Sequence, residues 1–377
     1  MIYLNNAATT LQKPPCVVRA VVQAMEHQGS CARGSHASEM SAARTVFHTR
    51  ETLARLFGFS HPERVIFTAN ATQALNAALW GFLRPGDHVI ATDWDHNSVL
   101  RPLHALARTH GVEVDFLPAD RQGRLRYDLL ESLVRPNTRM LVGSHASNLT
   151  GNLLDLQRMS AFAKKHGLVF LLDAAQTAGC TPIAMEDMGV HLLAFTGHKG
   201  LMGPQGTGGL CVAPGVELRP LLSGGTGVRS FEEGQPEEYP EHLEAGTLNG
   251  HGLAGLGAAA GFILETGVDA IHAHERALTE RFVQGLQELD GVAVYGDFSG
   301  DRAPVVALNL DGWDPAAAAD ELSQAYDIAV RPGIHCAPRM HRALGTQDRG
   351  CLRFSFGWYT TEGDIDAALA ALKEMTT

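Results

Sequence analysis

Short apolar and β-branched segments alternate with helical patterns between residues 64 and 212, and no other feature constrains the fold as strongly. The expected strands are 65–67, 89–91, 139–144, 169–173, 192–196 and 208–212, with expected helices at 72–83, 98–110 and 156–166. Such alternation predicts an α/β fold with a mostly parallel sheet covered by helices on both faces. Ligands of these sheets bind at the carboxyl ends of the strands, so functional side chains are expected there.

The sequence changes character after this region. Residues 223–250 are rich in Gly, Glu and Pro, which predicts a long loop with a functional or connecting role. A helix is expected over about 252–289, broken near Gly267. Strand patterns at 292–295, 305–310 and 352–355 then alternate with helical patterns at 315–326 and 364–375. They indicate a second, smaller α/β domain.

These patterns suggest three parts. We expect an N-terminal arm over residues 1–15 that packs with the small domain, a large domain over 16–250, and a small C-terminal domain over 251–377. The length of 377 residues and the 45% apolar and 19% charged residues suit an ordinary globular protein of more than one domain.

Charge and hydropathy exclude several classes of partner. The net charge is −11 and no run of Lys or Arg occurs, which argues against nucleic acid or an anionic membrane. The N-terminus lacks the basic and apolar regions of a signal peptide. The longest apolar stretch, near Leu253 to Leu264, is interrupted by glycine and too short to span a bilayer.

The cysteines are informative through their spacing. No C-x-x-C pair occurs among the six, which are Cys16, Cys31, Cys180, Cys211, Cys336 and Cys351. We therefore expect neither a disulfide framework nor a metal site, and a reducing cytoplasm fits this pattern.

Two residues at strand ends suggest a cofactor. Asp173 ends an apolar strand, where a carboxylate is costly unless a cation pairs with it. Lys199 follows the expected strand 192–196, about 25 residues later. In an enzyme that uses pyridoxal 5′-phosphate (PLP), a lysine supplies the Schiff-base amine and an aspartate pairs with the pyridinium nitrogen. The alternative is a solvated lysine after a glycine-rich turn.

Polar residues at other strand ends suit the same cofactor. Thr72 opens a helix whose N–H groups suit a phosphate, although a simple N-cap explains it too. His96 would stack on an aromatic ring or cap the next helix, and Asn148 lies where a turn is the plain explanation. Gln176 would contact the cofactor phenolate or lie in a surface turn. Thr196 and His198 flank Lys199 closely enough to reach a phosphate.

A second informative segment runs from Arg331 to Ala337 and is expected to be a glycine-containing loop. Its Cys336 lies next to His335 and near Arg331, a setting that favours a thiolate, although most cysteines are buried and inert. Among the other cysteines, Cys31, near Arg33 and His36, is the closest rival. Arg353 stands in an otherwise apolar strand, where it would bind a carboxylate in bidentate fashion or form a structural ion pair.

Together these segments resemble the class V aminotransferase family of fold-type-I PLP enzymes, and within it the cysteine desulfurases. The resemblance begins at Tyr3 to Thr10 and covers nearly the whole chain. Its further segments are 71–76, 95–98, 147–148, 173–176, 196–199, 244–249, 331–337 and 353–356. The Arg-x-Gly-x-His-Cys-Ala segment is similar to the group II branch, which includes selenocysteine lyases. The fold implied is a large domain with a mostly parallel seven-stranded sheet and a smaller C-terminal α/β domain.

The resemblance also implies residue roles. Lys199 would carry PLP, Asp173 would keep its ring nitrogen protonated, Gln176 would contact its phenolate oxygen, and His96 would stack on the ring and transfer protons. Residues for the phosphate would be Ala71, Thr72, Thr196, His198 and, from the other subunit of a homodimer, Thr247. Residues for the substrate would be Asn148, Arg353, Arg331 and His36. Cys336 would attack the substrate sulfur.

The implied reaction converts L-cysteine to L-alanine and leaves the sulfur on Cys336 as a persulfide. A sulfur-acceptor protein is then a candidate partner. The alternatives are a selenocysteine lyase or another C–S lyase acting on a cysteine derivative, and, less favoured, a class V aminotransferase or a non-catalytic binding protein. Two departures stand out. Asn5 replaces the aspartate frequent in the family, and Pro332 and Pro338 lie near Cys336, which bears on persulfide delivery rather than on cofactor binding.

Overall fold

The computed structural model describes residues 1–31 and 36–377. Its strands are β1 Ile2–Tyr3, β2 Val65–Thr68, β3 His88–Thr92, β4 Glu113–Leu117, β5 Thr138–Ser144, β6 Val169–Asp173, β7 Leu192–Thr196, β8 Gly208–Val212, β9 Val292–Tyr295, β10 Val305–Leu310, β11 Ile328–Ala329, β12 Arg331–Gly333 and β13 Cys351–Ser355. Its α-helices are α1 Pro15–His27, α2 Ala37–Leu56, α3 Ala71–Phe82, α4 Asn97–His110, α5 Leu156–His166, α6 Gly250–Thr266, α7 Val268–Leu286, α8 Pro315–Tyr326, α9 Pro338–Leu344 and α10 Glu362–Thr376.

The central sheet has seven strands in the order β2-β8-β7-β6-β5-β3-β4. Strand β8 runs antiparallel to both of its neighbours, and the other adjacent pairs are parallel. The predicted α/β fold with a mostly parallel seven-stranded sheet is therefore confirmed.

Side chains on the two faces of this sheet enter separate cores. In β6, Phe170 and Leu172 lie in one core, whereas Leu171 between them lies in the other. Strand β7 repeats the pattern, with Phe195 in the first core and Ala194 in the second. Because both faces are covered, these strands are continuous apolar runs, and the residue that ends each run is the first free to be polar.

One of the two edge strands, β4, was not among the strands expected from the sequence pattern. Its segment Glu113-Val114-Asp115-Phe116-Leu117 alternates polar and apolar residues and ends in the buried Leu117. Alternation of this kind marks a strand with one exposed face, so the signal was present in the sequence.

The small domain contains the four-stranded sheet β12-β13-β10-β9, which is antiparallel throughout. The segment expected to be a loop from Arg331 therefore begins as a strand, because residues 331–333 pair with β13. The N-terminal arm joins this domain: β1 pairs with β11, and Leu4 lies in the core of the small domain.

The helix expected over 252–289 is two helices that meet at Gly267, whose φ of +90° favours glycine. Leu253, Leu256 and Ile263 of α6 belong to a core of the central sheet. We therefore propose that the large domain extends to about Thr266 rather than to residue 250. Within the described ranges, no single helix is long and apolar enough to cross a bilayer; only α6 and α7 together, bent by 81°, reach that length and composition.

Between β8 and α6 the described chain has no helix or strand, as expected for residues 223–250. A buried ion pair holds the end of this loop: Arg50 Nη1 and Nη2 donate to the Glu244 carboxylate at 2.8 and 2.6 Å. The N–H of Phe67 in β2 donates to the same carboxylate at 2.6 Å. The loop is thus attached to the edge of the central sheet beside α3.

Candidate active site

One pocket at the carboxyl ends of the parallel strands gathers most of the predicted site residues. Its volume is about 530 Å³. It is lined by Asn70, Ala71, Thr72, Leu75, His96, Ser98, Ser144, Ala146, Asn148, Asp173, Ala175, Gln176, Thr196, His198 and Lys199. All the predicted cofactor residues except Thr247 are in this set.

Asp173 and Lys199 face the pocket from adjacent strands, β6 and β7. Burial raises the pKa of Asp173. Two contacts act in the opposite direction and lower it: the N–H of Ala175, which donates to Oδ1 at 3.0 Å, and the positive charge of Lys199. Burial also lowers the pKa of Lys199 to about 8, opposed by Asp173 and reinforced by Arg353 and Arg331. With a pKa of about 8, roughly one tenth of Lys199 is the neutral, nucleophilic amine at pH 7, far more than for a lysine with its ordinary pKa.

His96 caps the N-terminus of α4 through its ring. Its Nδ1 accepts the N–H of Ser98 at 3.0 Å, so the proton of the neutral ring lies on Nε2. Burial lowers the pKa of His96 to about 4, and four nearby cations act in the same direction. The ring is therefore neutral at physiological pH and suited to lie against an aromatic system.

The N-terminus of α3 forms one end of the pocket. The Asn70 side chain caps this helix by accepting the N–H of Gln73 at 3.0 Å. The first N–H groups of a helix have no partner within it, and Ala71 and Thr72, the first two residues of α3, line the pocket. Thr72 Oγ1 is 2.8 Å from Ser98 Oγ, which joins α3 to α4. An anion is stabilised at such an end by the N–H groups and the helix dipole.

The loops after β6 and β7 complete this side of the pocket. Thr196 Oγ1 is buried and has no hydrogen-bond partner among the described residues. His198 Nδ1 lies 3.1 Å from Thr9 Oγ1, and burial lowers the pKa of His198 to about 4. Gln176 Nε2 donates to the carbonyl of Ala7 at 3.2 Å. The unsatisfied Thr196 hydroxyl indicates that a ligand or water accepts or donates there.

The predicted substrate residues Asn148 and Arg353 contact each other. Arg353 Nη1 donates to the Asn148 carbonyl at 2.8 Å, and Asn148 Nδ2 donates to the carbonyl of His335 at 2.7 Å. Asn148 Oδ1 is buried without a described partner. Neither Arg353 nor Arg331 lines the pocket, and the two stand opposite each other in the β12–β13 register. The two guanidinium groups make this side of the site strongly cationic.

Cys336 lies beside the pocket, in a groove that shares Thr72, His96 and Ser98 with it. The N–H of Asn97, the residue after His96, donates to the Cys336 carbonyl at 2.9 Å. The cysteine loop is therefore tied to the first turn of α4.

The backbone of this loop is strained. His335 and Cys336 have φ of +52° and +56°, two consecutive residues other than glycine in the left-handed region. Such residues cost on the order of 1–2 kcal/mol each and persist where the surroundings hold them. Two hydrogen bonds hold the loop here. The His335 carbonyl accepts from Asn148 Nδ2, and the Cys336 carbonyl accepts from the N–H of Asn97.

Five predicted site residues do not line the pocket: Cys336, Arg331 and Arg353, described above, and also Thr247 and His36. Thr247 is exposed and lines two other cavities, one of which includes Ala69 and Gln73 beside α3. His36 is exposed at the N-terminus of α2. Arg33, which together with His36 was expected to make Cys31 the closest rival of Cys336, lies outside the described residues. The roles of Thr247 and His36 stay predictions.

The structure adds two residues that the sequence interpretation did not single out. Asp95 is fully buried and accepts from the N–H of Thr92 at 2.7 Å and from the N–H and hydroxyl of Ser144, both at 2.9 Å. It thereby joins the end of β3 to the end of β5, where Ser144 lines the pocket. Burial raises the pKa of Asp95 to about 7. The available signal was a charged residue three positions after the end of β3, whose middle residues are all apolar.

Behind Lys199 a second, smaller cavity opens between the two domains. Lys199 lines it together with Gln176, Cys180 and Glu275. Glu275, on α7, is 4% exposed, and its Oε2 has no hydrogen-bond partner among the described residues. Burial raises the pKa of Glu275 to about 8, so this carboxyl is neutral in the folded protein near pH 7.

Glu275 should make stability depend on pH. Its pKa is about 8 in the fold and 4.5 in an ordinary setting, so the folded state keeps a proton that the unfolded chain releases. This contribution is complete below the lower value and is lost as pH rises through the upper one. The variant Glu275→Gln cannot titrate at this position, so only the wild type loses this contribution. As pH rises from about 5.5 to about 8.5, the thermal midpoint of the variant should therefore increase relative to that of the wild type. Parallel pH profiles would contradict this, and exposed Glu280→Gln is the control on the same helix.

Known proteins match this chain along its whole length. A profile of the family described as aminotransferase class-V matches residues 2–368. A protein of Methanothermobacter thermautotrophicus named probable cysteine desulfurase is 33% identical over 99% of this chain and 94% of its own. The apo structure of the cysteine desulfurase from Thermococcus onnurineus NA1 superposes with a TM-score of 0.92 at 31% identity, covering 100% of this chain and 94% of that one. For the cysteine desulfurase CsdA of Escherichia coli, the TM-score is 0.89 at 29% identity, with coverage of 100% and 95%.

Proposed function

This chain belongs to the aminotransferase class-V family, and from that premise we propose that it is a PLP-dependent cysteine desulfurase that converts L-cysteine to L-alanine. The observation that carries the proposal is the convergence of Lys199, Asp173 and His96 in one pocket, with the Cys336 loop hydrogen-bonded to the turn that follows His96. Lys199, Asp173 and His96 suit the binding of PLP, and Cys336 suits the transfer of the substrate sulfur.

The residues present fit PLP. The open N-terminus of α3 and the unsatisfied Thr196 hydroxyl suit its phosphate, together with His198. Buried Asp173 suits the protonated ring nitrogen, since a buried carboxylate needs a cation. His96 suits the face of the ring, and Gln176 suits its phenolate oxygen. When bound, PLP supplies the electron sink that allows a substrate amino acid to lose its α-proton.

The chain's own groups then have distinct tasks. Arg353 and Asn148 hold the substrate carboxylate, with Arg331 adding positive charge. Lys199, whose pKa of about 8 lies near the working pH, takes and returns the proton at the substrate α-carbon. His96, which carries its proton on Nε2, is positioned to donate to the substrate.

Cys336 takes the sulfur. Its thiolate attacks the substrate sulfur atom, the new S–S bond forms, and the bond between that sulfur and the β-carbon breaks with its electron pair passing to carbon. The carbon gains a proton and the product is alanine. The persulfide on Cys336 then needs a nucleophilic acceptor, and a protein thiol that enters the groove beside α4 is the acceptor we propose.

We also propose that the protein is a homodimer acting in the cytoplasm. Thr247 is exposed and lies outside its own pocket, as a residue that completes the partner's phosphate site would. All six cysteines are free, which suits a reducing compartment. A monomer by light scattering with full activity would exclude the shared site.

The test of the function is product analysis with a panel of substrates. The purified protein should form alanine from L-cysteine, and with a thiol reductant such as dithiothreitol to cleave the persulfide it should also release sulfide. The panel should include selenocysteine and S-substituted cysteines. Preference for selenocysteine by a wide margin would favour the selenocysteine lyase alternative. The absence of the yellow colour of bound PLP, with no product from any member of the panel, would favour a non-catalytic binding protein.

Asp173→Asn should keep part of the cofactor but lose most activity. The amide can still accept from the N–H of Ala175, but it carries no charge for the ring nitrogen. Removing one preorganised electrostatic partner costs about 10²–10³ in rate. Turnover measured at equal cofactor content is the readout, and near-normal turnover would refute the pairing.

A further inference from the structure

Arg353 is the largest fully buried side chain of the described chain, with 1% exposure. Its Nη1 donates to the Asn148 carbonyl at 2.8 Å, and its Nη2 donates to Asn5 Oδ1 at 3.4 Å. Its Nε is buried and has no acceptor among the described residues. The guanidinium is therefore held by two neutral oxygens, with hydrogen-bonding capacity left over.

The charge of this guanidinium is not balanced within the described chain. No described carboxylate forms an ion pair with Arg353, and the residue opposite it across the strand pair is a second arginine, Arg331. Burial lowers the pKa of Arg353 to about 9, and Arg331 acts in the same direction. Burying a charge without a partner is costly, so the site gains most from a ligand that brings a negative charge.

The group that could have balanced this charge is at position 5. Asn5 is fixed in place: its backbone bridges to Ser355 and its carbonyl accepts from the Tyr3 hydroxyl at 3.3 Å. Its side chain reaches Arg353 across 348 positions of sequence. An aspartate there would have the same shape and would place a carboxylate on the guanidinium.

We propose that Asn5 is a specificity-determining residue: it orients the Arg353 guanidinium without neutralising it, so that the charge remains available to the carboxylate of the substrate. The inference rests on the proposed function for its choice of substrate, an α-amino acid. Asn5 acts through Arg353, so it is a positioning residue, and it should affect carboxylate binding rather than the later steps.

Two substitutions separate charge from shape. Asn5→Asp keeps the acceptor oxygen and adds a competing charge, whereas Asn5→Ala removes the acceptor and adds no charge. If charge decides, Asn5→Asp should raise the KM for L-cysteine by about 10-fold or more with kcat little changed, and Asn5→Ala by about 3-fold or less, the scale expected for one charged contact. If Asn5 only supports the fold, the order should reverse, because aspartate keeps the hydrogen bond. Equal effects, or none, would also overturn the proposal.

A carboxylate-free ligand controls for misfolding. Cysteamine is L-cysteine without the carboxylate, so its inhibition constant should be the same in wild type and Asn5→Asp. A parallel loss for both ligands would mean damage to the site as a whole and would overturn the proposal. The dissociation constant for L-alanine, measured by calorimetry, keeps the two proposals distinguishable. If the wild type binds alanine but releases no sulfur from cysteine, the desulfurase function fails, and the rank order of alanine binding still decides the role of Asn5.

Discussion

Lys199→Ala should abolish turnover and the borohydride-reducible link between the protein and PLP. Lys199 follows β7 and lines the pocket beside Asp173, and burial lowers its pKa to about 8, which makes the neutral amine far easier to form near pH 7 than in an ordinary lysine. No other residue of the pocket has an amine side chain. Loss of a residue that forms a covalent bond in catalysis costs on the order of 10³–10⁶ in rate.

The chain offers a close control for this experiment. Lys13 is half-buried, its Nζ donates to the carbonyl of Thr10 at 2.6 Å, and burial lowers its pKa to about 8 as well. Lys13 does not line the pocket, so Lys13→Ala should keep the reducible link. Mass spectrometry of borohydride-treated protein locates the modified peptide. Modification of any lysine other than Lys199 in the wild type would refute the assignment.

The position of this pocket could be predicted because each strand of a parallel sheet, and the residue where it ends, can be recognised from the local sequence. Each strand is an apolar run, so Asp173 and the polar residues after Thr196 mark where the runs stop. The carboxyl ends of parallel strands share one edge, so residues far apart in sequence, such as His96 and Lys199, were expected to meet. The fold and the cofactor side of the site follow from these rules together with the family resemblance.

Other features depend on contacts that no local pattern contains. The approach of Asn5 to Arg353 joins the N-terminal arm to β13, and Glu275 occurs in a helix whose sequence does not distinguish it from an exposed glutamate. The left-handed backbone at His335 and Cys336 is equally unmarked, since neither residue is glycine. These conformations are set by tertiary contacts that outweigh local preference.

Cys336→Ser should retain PLP and substrate binding but fail to produce alanine from L-cysteine. Serine has nearly the same size and can keep the left-handed backbone and the Asn97 hydrogen bond, so the loop should stay in place. Lys199 and Arg353 are unchanged, so spectral changes on adding L-cysteine should remain. A hydroxyl is a far weaker nucleophile toward sulfur than a thiolate, so the S–S bond should not form.

The rival cysteine provides the control. Cys31 is partly buried and lines the cavity that contains Thr247 rather than the active-site pocket, so Cys31→Ser should keep wild-type sulfur release. Wild-type protein treated with L-cysteine should carry one additional sulfur on the peptide that contains Cys336. Sulfur release by Cys336→Ser at the wild-type rate would show that elimination needs no enzyme thiol, and a β-elimination lyase would be the better assignment. Loss of activity on cysteine with activity kept on selenocysteine would instead favour a selenocysteine lyase, because selenium leaves carbon without help from the Cys336 thiolate.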